Sequence, residues 1–214
     1  MSGTATEEAA ARTPWLVAAV VVVVGAVLGI SSELAGDLPR PWYFAAQLGA
    51  PWLVAAFLVA RACRRPWTGA LVGVAVVGTG LLVVAIHRTL AFGSHYRAGG
   101  DLIAWAVVAV VMGSVLGAAG AGTHDGRPNV RAFAWSIPVA VALVESALTF
   151  ARWSSVGVSA VDLVLAAAVF ALGARRSSPA RLLLATGITL AASAVLALLA
   201  RVLLAGSWGQ AIRP

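Results

Sequence analysis

Seven long apolar stretches follow one another along the chain, separated by short polar turns. They cover residues 15–34, 43–60, 67–86, 102–122, 132–151, 156–174 and 182–206. A helix crosses a bilayer core with about 20 apolar residues. Because the stretches are apolar on all sides, they predict helices that satisfy their backbone hydrogen bonds inside lipid. The expected fold is an all-α, polytopic transmembrane bundle of about seven helices.

These stretches account for nearly the whole chain, which predicts a single domain. We expect this domain at residues 14–207, between a disordered cytoplasmic tail at 1–13 and a short C-terminal tail at 208–214. A cleaved signal peptide is the alternative for the first stretch, because Arg12 precedes an apolar run. Glu7 and Glu8, in the region that should be positive, argue against it.

Composition agrees with a membrane protein and excludes other classes. Of the 214 residues, 61% are hydrophobic and 11% are charged, whereas soluble domains are about a quarter charged. The net charge of +7 does not indicate nucleic-acid binding, because the basic residues are scattered between apolar blocks. All 15 basic residues are arginines, which excludes lysine-dependent chemistry. Cys63 is the only cysteine, so no internal disulfide can form.

The arginines predict which helix ends face the cytoplasm. With the N-terminus inside, nine arginines lie on the inner side and five on the outer side, as the positive-inside rule requires. The inner ones are Arg12, Arg61, Arg64, Arg65, Arg127, Arg131, Arg175, Arg176 and Arg181. The outer ones are Arg40, Arg88, Arg97, Arg152 and Arg213. We therefore expect a multi-pass protein of a bacterial inner membrane, with the lipid bilayer as its first partner.

Tryptophans and glycines indicate how the helices are anchored and packed. Seven of the eight tryptophans lie near stretch ends, as in an aromatic belt at headgroup level: Trp15, Trp42, Trp67, Trp105, Trp135, Trp153 and Trp208. Glycine pairs spaced by four allow close helix contact. The pairs are Gly25 and Gly29, Gly69 and Gly73, and Gly113 and Gly117. We expect them to pack the first, third and fourth helices, with a dimer interface as the alternative.

Three charged residues lie inside the predicted helices: Glu145, Asp162 and Arg201. Charges at membrane depth are costly and mark functional sites. At 1.5 Å per residue, all three lie about 8–9 Å below the outer boundary. Glu145 and Asp162 belong to helices joined by a tight turn. We predict an outward-opening polar pocket that binds a ligand, in which either carboxyl group is also a candidate catalytic acid.

Further polar residues extend this prediction. Gln47 and Thr149 lie at the level of the pocket, and Trp52 lies deeper, beside a predicted kink at Pro51. The expected outer rim consists of Glu33, Asp37, His87, Arg88 and Asp101. The histidines lie on opposite sides of the membrane in this topology, so we expect no metal site, and nothing indicates a cofactor.

A structural salt-bridge cluster is the alternative to a ligand pocket, because intramembrane charges usually pair. Arg201 would then pair with Glu145 or Asp162 and hold the last three helices together. One carboxyl group would still lack a counter-ion and would stay protonated, because burial disfavours its charge.

Several short motifs resemble a known family. They are the segment Leu48-Gly49-Ala50-Pro51-Trp52 before an apolar run ending in arginines, then Trp105, Gly113, Gly117, Gly120, Arg127, Arg131 and Glu145. Together they are similar to a family of small polytopic membrane proteins of unknown function from high-GC bacteria, over about residues 29–149. The resemblance implies a compact helical membrane protein and no established activity.

Three functions remain open at this point. The first is a transporter-like or ligand-binding protein for an unknown small molecule. The second is an intramembrane enzyme that acts on a lipid or isoprenoid with a buried carboxylic acid, as terpene cyclases do, with Trp52 steadying a carbocation. The third is a structural or regulatory subunit without a ligand. Each allows a membrane partner subunit or a homo-oligomer.

Overall fold

The computed structural model describes residues 4–35, 49–92, 100–153 and 156–208. Its seven helices are α1 (Thr4–Leu34), α2 (Gly49–Ala60), α3 (Pro66–Phe92), α4 (Gly100–Gly122), α5 (Pro128–Trp153), α6 (Val156–Ala174) and α7 (Pro179–Trp208). No strand occurs within these four ranges. The prediction of an all-α bundle of about seven helices is confirmed.

The helices have the length and surface of membrane spans. Four contain segments long and apolar enough to cross a bilayer: Trp15–Leu34, Pro66–Ala91, Trp105–Gly122 and Pro128–Ala151. Shorter apolar helices cover Gly49–Ala60, Ser159–Ala174 and Pro179–Val195. Large apolar side chains cover the outside of the bundle, and Leu90 is 81% exposed. Such an apolar surface is typical of contact with lipid, and the chain is a membrane protein.

α1 begins earlier than the hydrophobic pattern predicts. A disordered tail is predicted for residues 1–13, and the described α1 begins at Thr4. Glu7, Glu8 and the neighbouring alanines have strong or moderate helix propensity. Acidic residues near a helix start also interact favourably with the helix dipole. The apolar helix therefore continues N-terminally into a polar extension.

The short helix α2 lies at the centre of the bundle. It contacts α1, α3, α4, α5 and α6, and Ala50, Ala56, Phe57 and Ala60 have no exposed surface. On one side of α2, α1 packs on α3 and α3 packs on α4; on the other side, α5 packs on α6 and α7. α2 thus contacts both groups of three helices, which also meet directly where α4 packs on α5.

The glycine pairs pack as predicted. A Cβ atom on Gly25 of α1 would lie only 2.7 Å from a backbone oxygen of α3. Gly69 and Gly73 of α3 lie directly against the backbone of Gly113 and Gly117 in α4. These contacts leave no room for a side chain, because the two backbones touch. The expectation that the pairs join the first, third and fourth helices within one chain is confirmed.

The aromatic-belt prediction is wrong for Trp135. Trp15, Trp67 and Trp105 are exposed, as lipid-facing anchors must be, whereas Trp135 is 1% exposed. Its ring packs edge-on against Phe57 of α2, with centroids 5.3 Å apart. Trp135 lies near the helix end, as the belt requires, but on the side of α5 that faces the bundle. The side chains of Trp42, Trp153 and Trp208 lie outside the described part of the chain.

Candidate functional site

The start of α2 lies at membrane depth and needs a hydrogen-bond acceptor. α2 has 12 residues, which corresponds to about 18 Å, less than the ~30 Å of a bilayer core. Because it ends at the arginine-containing turn 61–65, its first residue, Gly49, lies inside the apolar layer. The first N–H groups of a helix have no acceptor within the helix, and lipid offers none.

Glu145 of α5 supplies this acceptor. The backbone N–H of Gly49 donates to Oε1 of Glu145 at 2.6 Å, and the N–H of Ala50 donates to Oε2. Pro51 follows in the first turn of the described helix. Proline fits this turn well, because its backbone nitrogen carries no hydrogen and no N–H is needed there for the hydrogen bonds of the helix. Residues 36–48 lie outside the described part of the chain, so the kink at Pro51 stays a prediction.

Asp162 of α6 is fully buried, with 0% exposed surface. Neither of its carboxylate oxygens has a hydrogen-bond partner among the described residues. The charge of Asp162 lies close enough to that of Glu145 for the two to interact unfavourably. The structure therefore brings the two candidate acids together, one engaged by backbone N–H groups and the other without a partner within the described ranges.

A reciprocal pair of hydrogen bonds holds α5 and α6 together at this level. The hydroxyl of Ser146 donates to the carbonyl oxygen of Ser159 at 3.0 Å, and the hydroxyl of Ser159 donates to the carbonyl oxygen of Ser146 at 3.2 Å. Ser146 follows Glu145 directly, and Asp162 lies one turn beyond Ser159. Both hydroxyls are thus already used by backbone oxygens. Neither serine is among the predicted site residues.

The remaining predicted pocket residues have different surroundings. Thr149 is buried one turn beyond Glu145. The ring of Trp52 lies against Gly80 of α3, where a Cβ atom would overlap it, so the indole fills space between helices. Gln47 and the side chain of Arg201 lie outside the described residues. The pairing of Arg201 with a carboxylate stays a prediction.

Three of the predicted rim residues form one ionic cluster. Arg88 of α3 donates from Nε and Nη2 to Oε1 of Glu33 in α1, each at 3.0 Å. Nδ1 of His87 lies 3.1 Å from Oε2 of Glu33. These contacts tie α1 to α3 at the end opposite the arginine-containing turns. Asp37 and the side chain of Asp101 lie outside the described residues.

The opposite end of the bundle has its own polar contacts, which we call the arginine-rich face: residues 61–65, 123–127 and 175–178, with Arg131 and Trp135. The guanidinium carbon of Arg61 lies 4.6 Å from the centroid of the Trp135 ring. The Oδ2 atom of Asp125 accepts a hydrogen bond from Nη2 of Arg127 at 3.0 Å. The hydrogen bonds from Arg127 lower the pKa of Asp125.

Neither the region around Glu145 and Asp162 nor the arginine-rich face contains a metal site among the described residues. Within the described ranges, no group of three or more His, Cys, Asp or Glu side chains lies close enough to hold a metal ion.

The spacing of Arg131 and Trp135, one helical turn apart, is the sequence signal for the arginine-rich face. This signal did not lead to a prediction, because tryptophans at helix ends usually anchor a protein to lipid.

These features define a polytopic helical membrane protein with one buried and one half-buried acid in one half of the bundle. The model of one protein family matches residues 8–206, nearly the whole chain. The chain belongs to this family, DUF6518, which is described as a family of unknown function. The resemblance to a family of unknown function is thereby confirmed. No curated protein and no solved structure matches the chain significantly.

Proposed function

We propose that this membrane protein is a transporter-like, ligand-binding protein in which Asp162 exchanges a proton for a small ligand. The observation that carries the proposal is the complete burial of Asp162 with both oxygens unpartnered among the described residues. An isolated carboxylate in apolar surroundings is strongly unfavourable. Asp162 must therefore bind a proton, a cation or a hydrogen-bond donor.

The chemistry around Asp162 favours a cationic or donor-bearing ligand. Among the described residues, the charged group that acts on it is another acid, Glu145. The hydroxyls of Ser146 and Ser159 donate to backbone oxygens, so they are not free to neutralise it. A small amine provides the positive charge and the hydrogen-bond donors that the oxygens of Asp162 lack. Arg201 is the internal alternative, and it would make the acids a structural cluster instead.

Access to Asp162 requires the bundle to open. α5 carries Glu145 and packs on α6, which carries Asp162, whereas α1, α3 and α4 form the other group of helices. Movement of one group against the other around α2 would hydrate Asp162 and release its proton. We place the arginine-rich face in the cytoplasm, following the positive-inside rule. In this orientation, opening of the bundle would make Glu145 and Asp162 accessible from the outer side of a bacterial inner membrane.

The melting temperature of the purified protein in neutral detergent tests this proposal. Because ionised Asp162 is unfavourable in the folded state, we expect the melting temperature to fall as pH rises from about 5 to 8. Asp162→Asn removes the titrating group at nearly constant volume, so it should abolish this fall and raise the melting temperature at high pH. Asp125→Asn is the matched control, because Asp125 titrates below this range.

The sign of the Asp162→Asn effect separates the proposal from a salt-bridge cluster. If Arg201 were paired with Asp162, the same change would leave a buried guanidinium without a partner and would lower the melting temperature. A fall with pH that persists in Asp162→Asn would contradict our proposal as well. Reconstitution with a pH-sensitive dye inside vesicles then tests transport, since addition of a substrate amine should move protons only in the protein with Asp162.

A further inference from the structure

The arginine-rich face contains buried polar atoms without a hydrogen-bond partner in the described ranges. They are Nε of Arg61, Nε of Arg131, Nε1 of Trp135 and Oγ of Ser177. All four atoms can donate a hydrogen bond. More than nine-tenths of buried polar groups in native proteins have a partner. Four donors at one end of one bundle therefore indicate that an acceptor from outside the chain belongs there.

These donors lie on adjoining elements. Arg131 and Trp135 are one turn apart on α5, and the guanidinium of Arg61, directly after α2, lies over the Trp135 ring. A Cβ atom on Gly173 would lie 3.1 Å from Cβ of Trp135, so the end of α6 packs against this tryptophan. The N–H of Ser177 donates to the Gly173 carbonyl oxygen at 2.9 Å. The ends of α2 and α6 thus meet the start of α5.

The charges at this face are mostly positive. Burial, and next the like charge of Arg176, lower the pKa of Arg61. Asp125 is the only acidic residue in residues 61–65, 123–127 and 175–178. Arg127 binds it, and the charge of Arg131 also acts on it. An anion bound here would satisfy the donors and offset the excess positive charge.

We propose that Arg61, Arg131 and Trp135 form a binding site for a phosphate group. A guanidinium presents its N–H groups in a fork that matches phosphate oxygens, and charge-assisted bonds of this kind are strong. The cation–π contact with Trp135 restrains the Arg61 guanidinium in advance. Phosphate reaches this face either as a free anion or as the headgroup of an anionic phospholipid.

Two measurements on the full-length protein distinguish these sources. In the first, inorganic phosphate is titrated into protein in an uncharged detergent, with chloride keeping the ionic strength constant. In the second, phosphate-free protein is compared in nanodiscs of phosphatidylcholine with and without phosphatidylglycerol. Saturation should raise the melting temperature by about 5 °C when the phosphate group exceeds its dissociation constant a hundredfold or so.

Three variants test the residues. Arg61→Gln and Arg131→Gln should each raise the dissociation constant at least about tenfold, since each removes a charge-assisted bond. Arg61→Lys keeps the charge but loses the fork, so it should weaken binding while preserving the fold. Arg64→Gln is the matched control, because it removes one charge from an exposed side chain of the same turn. Circular dichroism checks that each variant folds.

Each outcome decides the proposal. A saturable shift with inorganic phosphate that Arg61→Gln and Arg131→Gln lose, and Arg64→Gln keeps, supports a site for the free anion. A shift only with phosphatidylglycerol, with the same pattern among the variants, supports a lipid headgroup site. No shift in either measurement would overturn the proposal. An equal loss in Arg64→Gln would also overturn it, because it would show only general surface charge.

Discussion

Replacing Glu145 by alanine tests whether this carboxylate holds the start of α2. The change removes the acceptor of two backbone N–H groups, those of Gly49 and Ala50. A buried donor left without a partner costs about 1–3 kcal/mol, so two of them cost about 2–6 kcal/mol. In membrane proteins such losses of stability are smaller, because the freed polar groups also find hydrogen-bond partners in the unfolded state. We therefore expect the free energy of unfolding to fall by an amount near the lower bound, about 2 kcal/mol.

A glutamine variant and a lipid-facing control variant allow the loss of stability to be compared in steps. Glu145→Gln keeps one acceptor oxygen, so we expect about half the loss seen with alanine. Leu148→Ala changes a 64% exposed residue of the same helix and should have little effect on α2. Titration with sodium dodecyl sulfate in mixed micelles, followed by tryptophan fluorescence, gives the free energies. A Glu145→Ala protein within about 0.5 kcal/mol of the native one would refute this reasoning.

Two further predictions concern packing and pH. Gly73→Ala should lower the free energy of unfolding by about 1–3 kcal/mol, because its Cβ would overlap the backbone of Gly113; Gly78→Ala, with open space around it, should not destabilise. Comparison of their thermal unfolding in detergent checks this. The hydrogen bonds from Arg127 lower the pKa of Asp125. The stabilisation that they provide is complete above the pKa that Asp125 has in the unfolded state. It is lost as the pH falls through the lower pKa of Asp125 in the folded state. Below about pH 4 the native melting temperature should therefore fall more steeply than that of Asp125→Asn, and equal slopes would show that the contact is not stabilising.

The arrangement of helices could be predicted because lipid leaves the backbone few choices. Apolar stretches must form helices when no water is present to satisfy N–H and carbonyl groups. The glycine pairs then identified packing partners, since only close backbone contact explains paired small residues on α1, α3 and α4. Gly69 and Gly73 face Gly113 and Gly117 as this reasoning requires.

The side of each helix that faces the bundle could not be predicted in the same way. Most of these helices are apolar all round and carry no stripe to orient them. α5 does contain buried polar residues, namely Ser136, Ser146 and Thr149. The aromatic-belt prediction for Trp135, however, rests on its position along the helix alone. The partners of Glu145 were also hidden, because backbone N–H groups have no sequence signature. Gly49 and Pro51 were the available signal: a glycine and a proline two residues apart suit the first turn of a helix better than its middle.

The short length of α2 explains why polar groups gather at its two ends. A 12-residue helix is marginal in isolation, and one that ends inside the apolar layer must satisfy its free N–H groups there. Glu145 places negative charge at the start of α2, and Arg61 places positive charge at its end. Both charges have the sign that stabilises a helix dipole. Because α2 also contacts both groups of helices, any shift along its axis would disturb the Glu145 contacts and the Arg61–Trp135 stack together.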